Sequence, residues 1–527
     1  SSDSFGALRL VQSCLATMLL ATGPCSCTCT TGARSSMCSS SSAADPSPTS
    51  PARCCHRSRS FGLSTIGRNH ADTTSGARCA GWHAAMLRLL GWASPLQFLI
   101  SCLARGPRVR HAARTSSTLR SVHAAGVDHI DVSQDYLVQF TDGVIEQRAQ
   151  MLPIAFEELR AVLLSKRSGI RVELRPTAVR ARPDSLLWLL VGSGLSESEM
   201  ADVVCRCVLV RVVYRPLVYG VDIGAIALAA ESVLESWSET KRMRTWSLGV
   251  RSVHHPKTTS LDHAGESLAG ALRHLTGRVS LTAPDTRLLV LEEFAPAAVL
   301  PQRFWLVEVV GEKPQGWLKP FLLATRPYIS VSSTRPEFAF LMANLAQVSP
   351  GDAVLDPVCG SGSLLLAAAA QGATCLRGID ANPEVLKGRR SLPRSSRCGT
   401  APAGTASGIE ANFAALGLPL PHLECGDALD PQRPAPGEHY SALLAELPFG
   451  RLEPARFHSK KTLAIGILSL AARALLPGGR AVMTWPGELA ADASSFTQEV
   501  GLLPLAMLPC DYRTGLRRCL VVAQQPR

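Results

Sequence analysis

The residues of this chain best suited to chemistry lie in its last third, where apolar runs end. The run LLA at 443–445 stops on Glu446-Leu447-Pro448-Phe449-Gly450. A carboxylate, a stiffening proline, an aromatic ring and a glycine suit a pocket for a flat base that carries an amine. An exocyclic amine is a poor nucleophile because its lone pair is delocalised into the ring. Acceptors on its N–H groups, here the Glu446 carboxylate and the Leu447 carbonyl, favour a pyramidal nitrogen and bias its proton for removal. Phe449 would stack on the base, a contact worth about 1–3 kcal/mol. Taken alone, Leu-Pro-Phe-Gly is equally well a hydrophobic turn.

A second loop supplies what could react with such a base. Asp356-Pro357-Val358-Cys359-Gly360-Ser361-Gly362-Ser363 follows an apolar strand and opens a helix, the setting of a nucleotide-binding glycine loop. Gly360 and Gly362 let backbone approach a ligand without a Cβ in the way. The dinucleotide fingerprint is not met, because Leu365 stands where its third glycine would be, and no Gly-Lys-Ser/Thr of a phosphate loop follows. Asp380 ends the next strand, placed to accept from both hydroxyls of a ribose. Asp427 ends the strand after that, placed to accept from an adenine amine. Any one of these acids could be a solvated turn residue. As an ordered set, three strand-end carboxylates with a glycine loop and no pyrophosphate signature suit a nucleoside such as S-adenosylmethionine.

These residues need a scaffold that brings strand ends together. From Phe338 onward β and α segments alternate: AVLDP, LLLAAAAQ, CLRGIDAN, EANFAALG, HLECGDA, SALLAELPFG, TLAIGILSLAARALL and PGGRAVMTW, closing with LLPLAMLPC and RRCLVVAQQ. That alternation predicts a doubly wound, mainly parallel sheet with ligands at the carboxyl ends of its strands. Its first and fourth strands would flank the point where strand order reverses, so ELPF would face the glycine loop. Between 128 and 320, strands separated by single helices predict small α+β units. DYLVQF, LLWLLVG, TWSLGVRSV, RVSLTAP and FWLVEVV read as strands, residues 155–165 and 265–276 as helices, and 205–216 as a helix-to-strand or strand-rich stretch.

Composition sets the remaining limits. At 527 residues with 46% apolar content the chain has room for two or three domains. Residues 1–127 hold thirteen arginines, no lysine and three acids, and so carry +10 of the +12 formal charge. Any nucleic-acid surface beyond them must be a local patch. Nine of seventeen cysteines also fall there, but Cys25-Ser-Cys27-Thr-Cys29 departs from zinc-site spacing, so no metal centre is expected. The acid-free stretch 86–127, rich in Arg, Ser and Ala, has the composition of an organelle transit peptide. The expected division is a low-complexity, disordered or targeting segment at 1–127, an α+β region at 128–320 and a Rossmann-like domain at 321–527. The expected location is the cytoplasm, or a mitochondrion or plastid if 86–127 acts as a signal.

The segment RPYISVSSTRPEFAFLMANLAQVSPGDAVLDPVCGSGSLLLAAAAQGA (326–373) resembles the THUMP-domain tRNA guanine-N2-methyltransferases, most closely the catalytic subunit acting at guanosine 10. The likeness extends through EELRAVLL, CRCVLVRVVYRPLVYG and GRVSLTAPDTRLLVLEEF before it, and through GIEANFAALGL, ELPFGR and RTGLRRCLVVAQQ after it. It implies a ferredoxin-like plus THUMP region at 128–320 that binds the tRNA body. It implies S-adenosylmethionine against Asp356, Pro357, Gly360, Ser361, Gly362, Asp380 and Asp427, and the guanine against Glu446, Leu447, Pro448 and Phe449. It also implies a small zinc-binding activator subunit as partner. The chain departs from the family in carrying glutamate where the fourth motif usually begins with aspartate. Its L-P-F spelling is similar to sister enzymes that modify other guanines. Action on another tRNA position or small RNA, a DNA amino-methyltransferase and an inactive RNA-binding homologue therefore stay open. Arg389, Arg390, Arg394 and Arg397 lie in a polar loop that is either solvated or set against RNA phosphates.

Overall fold

The computed structural model describes residues 135–141, 148–177, 186–253, 255–294, 298–330, 333–388, 408–435, 437–448, 458–510 and 518–527. The expectations for 1–127, for Phe449 and for the four arginines at 389–397 lie outside these residues.

The first sheet begins with β1 (Tyr136–Phe140), α1 (Arg148–Lys166), β2 (Glu173–Pro176), β3 (Leu187–Val191), α2 (Glu197–Arg206) and β4 (Val210–Gly220). Strand order β2-β3-β1-β4, all antiparallel, makes this β-α-β-β-α-β run a ferredoxin-like unit. Helix α2 starts where the sequence closes a capping box: Ser196 accepts from the Glu199 N–H, and Glu199 accepts in return from the Ser196 N–H. The chain then adds α3 (Ile223–Glu235), α4 (Glu239–Arg242), β5 (Trp246–Val253), α5 (Leu261–Ser267), α6 (Ala269–Leu272), β6 (Thr286–Phe294) and β7 (Pro301–Glu312). Strand β7 pairs with the eleven-residue β4, so the sheet continues as β4-β7-β6-β5. The expected strand RVSLTAP does not form: Val279 makes one isolated bridge to Trp246. The strand lies instead at Thr286–Phe294, whose residues are nearly all buried, whereas Val279 and Leu281 are exposed.

The second sheet carries α7 (Pro336–Leu345), β8 (Ala353–Asp356), α8 (Ser363–Ala370), β9 (Cys375–Asp380), α9 (Pro383–Leu386), α10 (Ile409–Ala414), β10 (His422–Cys425) and β11 (Tyr440–Ala445). It closes with α11 (Lys460–Ala474), β12 (Leu475–Pro486), α12 (Ala493–Glu499), β13 (Leu503–Pro509) and β14 (Arg518–Gln524). Strand order is β10-β9-β8-β11-β12-β14-β13. Every pair is parallel except those of β14, which runs antiparallel between β12 and β13. This is the expected doubly wound Rossmann-like sheet with an antiparallel hairpin added at one edge. Its central strands are continuous apolar runs because helices cover both faces. Helix α8, SLLLAAAA, is buried nearly all round for the same reason.

One apolar core joins the two sheets. Tyr214 and Trp305 of the first share it with Leu341, Leu365 and Leu444 of the second. Among the described residues no helix is long and apolar enough to cross a membrane.

Candidate active site

Parallel pairing of β8 with β11 matches Leu355 to Leu443 and Val354 to Ala442. Asp356 and Glu446 therefore leave neighbouring strands at the same edge of the sheet, where strand order reverses. The glycine loop and Glu446-Leu447-Pro448 thus follow adjacent strands at the same end of the sheet, and the charges of Asp356 and Glu446 lie close enough to interact.

The loop after β8 holds its shape through backbone contacts. The Cys359 N–H donates to the Ile379 carbonyl at 2.9 Å, and the Gly362 N–H to the Cys359 carbonyl at 2.8 Å. Gly360 and Gly362 both take positive φ, +52° and +77°, which L side chains rarely adopt. Their surroundings differ. A Cβ on Gly362 would lie 2.7 Å from Ile409 Cγ2, while one on Gly360 would meet nothing within 4 Å. Gly362→Ala is therefore expected to cost about 1–3 kcal/mol of stability. Gly360→Ala should cost only the backbone strain of about 1 kcal/mol, and should weaken cofactor binding more than folding. Thermal melts and calorimetric titration of the two variants separate these effects.

Asp380 ends β9, and both of its oxygens are engaged. Oδ2 accepts from the Gly360 N–H and Oδ1 from the Asn382 N–H, each at 2.8 Å. It thus fastens the glycine loop to β9. Asp356 is buried and accepts from the Val358 N–H at 3.1 Å. Burial, then the nearby charges of Asp380 and Glu446, push its carboxyl well above the usual range.

Asp427, after β10, stands apart from that trio. Its Oδ1 accepts from the Leu429 N–H at 3.0 Å, and Oδ2 lies 2.7 Å from His458 Nε2, just before α11. Pro357 is buried in the glycine loop. The Ser361 hydroxyl lies 2.7 Å from the Ser333 hydroxyl, and Ser363 accepts at 2.6 Å from Arg326. Burial lowers the Arg326 guanidinium to about 10. Arg326 and Ser333, on either side of residues 331–332, are thereby tied to the glycine loop.

Glu446 is gripped from two directions. Thr334 Oγ1 donates to Oε2, and Arg518 Nη1 donates to Oε1 at 3.3 Å. Burial raises the Glu446 carboxyl, while Thr334, Arg518 and Arg335 oppose the rise. Its side chain still keeps 24% of its surface accessible and that of Arg518 16%, so both can meet a guest. The Leu447 N–H donates to buried Thr484 on β12 at 2.8 Å, fixing the loop. Pro448 is half-buried beside it. Thr334, Arg518, His458 and Arg326 are additions to the residues expected from sequence.

Comparison with known proteins bears on this geometry. Residues 324–395 match the RMKL-like methyltransferase domain family. The chain is 30% identical over 190 residues to the tRNA (guanine(10)-N(2))-methyltransferase TRMT11 of Gallus gallus, covering 34% of this chain and 40% of that protein. The Saccharomyces cerevisiae tRNA (guanine(10)-N(2))-methyltransferase is 28% identical over 118 residues, 21% of this chain and 27% of its own length. The human U6 snRNA (guanine-N(2))-methyltransferase THUMPD2 is 30% identical over 129 residues, covering 24% and 22%. The matched region thus spans about two fifths or less of these relatives. Among solved structures, TrmN from Thermus thermophilus superposes with a TM-score of 0.37 and 16% identity, over 74% of this chain and 99% of that one. Over residues 324–395 the chain is similar to the RMKL-like methyltransferase domain family, and over the aligned regions it resembles the tRNA guanine-N2-methyltransferases.

Proposed function

We propose that this chain transfers a methyl group from S-adenosylmethionine to the exocyclic N2 amine of a guanosine in tRNA, with guanosine 10 the leading position. The observation that carries the reading is that Asp356 and Glu446 leave the paired strands β8 and β11 at the same end of the sheet, close enough for their charges to interact. The residues present suit the cofactor. Gly360 offers an open backbone face, and Asp380, at the end of β9 beside it, stands where a ribose would lie. Asp427 would take the adenine amine, with His458 holding its carboxylate in place. When bound, the cofactor supplies an activated methyl group. The chain's own residues then have mainly to position the amine. Glu446, with the Leu447 carbonyl, accepts from the amine N–H groups and orients the nitrogen lone pair. Phe449 stacks on the base. The region 128–320, read as ferredoxin-like plus THUMP, holds the tRNA body, and a small zinc-binding activator completes the enzyme. A second reading, another guanosine or a small nuclear RNA, draws on the Glu-Leu-Pro-Phe spelling and on the U6-directed relative.

The test is tritium transfer from methyl-labelled S-adenosylmethionine to unmodified tRNA and to U6 RNA, with and without the activator, followed by mapping of the methylated nucleotide. Label in N2-methylguanosine of tRNA is the expected result. Cofactor binding with no label in any RNA overturns the assignment.

A further inference from the structure

Resting on the guanine-N2 reading, we propose that Arg518 and Glu446 together form a guanine-reading fork, in which Glu446 takes the N1–H and N2–H groups and Arg518 donates to O6. The order of the strands carries the argument. Passing along the sheet from the glycine loop, one meets β8, then β11 ending at Glu446, then β12, then β14 beginning at Arg518. The Watson–Crick edge of guanine presents, in line, the N2 amine donor, the N1–H donor and the O6 acceptor. The N2 group must lie nearest the methyl donor, on the β8 side. N1 then falls at Glu446 and O6 on the β14 side, where Arg518 stands.

The chemistry matches in the same order. A carboxylate can accept from two adjacent N–H groups while each oxygen keeps a second lone pair for Arg518 and Thr334. The guanidinium has five N–H donors. One goes to Glu446, and Nε has no partner among the described residues. Adenine would place its amine against the guanidinium and its bare N1 against the carboxylate, so both contacts would repel. Thr334 bonds Glu446 Oε2 and the Arg335 charge also acts on Glu446, so the fork's distinguishing test is the loss of base preference on substituting Arg518.

The test uses the full-length protein and tRNA transcripts with 2-aminopurine at the mapped guanosine. That base keeps the N2 amine and lacks both O6 and the N1–H. Wild type is expected to prefer guanosine by about tenfold to a hundredfold in kcat/KM. Arg518→Met should lower kcat/KM for guanosine at least tenfold more than that for 2-aminopurine, so the preference collapses. Arg518→Lys should keep an intermediate preference. Equal losses on both bases, or no loss on either, overturn the O6 contact. If Arg518→Met fails to bind cofactor, the wild-type comparison still decides: equal use of the two bases sinks the fork. Absence of methyl transfer to any guanosine by wild type overturns instead the reading on which the fork rests.

Discussion

Glu446→Gln is expected to lower the rate of methyl transfer by about 10²–10³-fold while leaving the affinity for S-adenosylmethionine within threefold. Glutamine keeps one acceptor oxygen. Its NH2 group, however, must face Arg518 or the incoming amine, which can only donate, or Thr334, whose hydroxyl would then have to turn to accept. Glu446→Asp discriminates further. The longer side chain already spans Thr334 from the 326–336 segment and Arg518 from β14. One methylene less would force the carboxylate to release one of them, so a loss of about tenfold is expected even though aspartate is the family's usual residue. A gain in rate would mean instead that the extra methylene is a defect. The pH dependence has a definite sign. The acceptor must be ionised, and burial raises the Glu446 carboxyl above its ordinary value. The rate should therefore rise with pH through that raised value and fall below it. Removing the Arg518 charge takes away a force that lowers the same carboxyl, so in Arg518→Met the acid limb should move to still higher pH. Single-turnover rates across pH, with cofactor binding measured separately, test both statements.

The parts of this site legible in sequence share one property: they are local. Asp356, Gly360 and Gly362 announce themselves because a four-residue apolar strand, a glycine loop and an apolar helix follow one another within eighteen residues. Asp380, Asp427 and Glu446 could be read from the strands they end. Thr334, Arg518 and His458 could not, since they lie 112, 72 and 31 residues from the carboxylates they hold. No spacing rule links them before the chain folds. The first sheet shows a different failure. RVSLTAP has the apolar alternation of a strand, yet TRLLVLEEF just beyond Asp285 takes the place between β5 and β7. Its nine residues can bury both faces, whereas the shorter segment stops at a proline. Helix α3, IGAIALAAESVLE, also escaped the sequence reading. Its buried Ile226, Ala230 and Leu234 recur every four residues, but small alanines dilute the pattern.

Glu158→Ala is expected to destabilise the whole described unit by about 3–5 kcal/mol, and the reason lies at the junction of the two sheets. Glu158 on α1 is fully buried. Its oxygens accept from the Val208 N–H at 2.6 Å, the Leu209 N–H at 2.8 Å and the Asn344 amide on α7 at 2.6 Å. Asn344 in turn donates to the Arg206 carbonyl at 3.0 Å and accepts from Arg206 and from Gln371. Gln347 donates to the Ala161 carbonyl at 2.8 Å. Burial pushes the Glu158 carboxyl up, and the donors around it pull the other way. Truncation would strand two backbone N–H groups and an amide, each worth about 1–3 kcal/mol when left unpaired in the interior. Glu158→Gln keeps one acceptor and should lose less. Because the same core contains Trp305 of the first sheet and Leu365 of the second, the loss should appear in both at once. Urea unfolding followed by hydrogen exchange at β4 and β12 amides would then report a common drop in protection. If β4 opened alone while β12 kept its wild-type protection, the two sheets would be independent bodies. The first sheet would then have no rigid hold on the strand end where Glu446 stands.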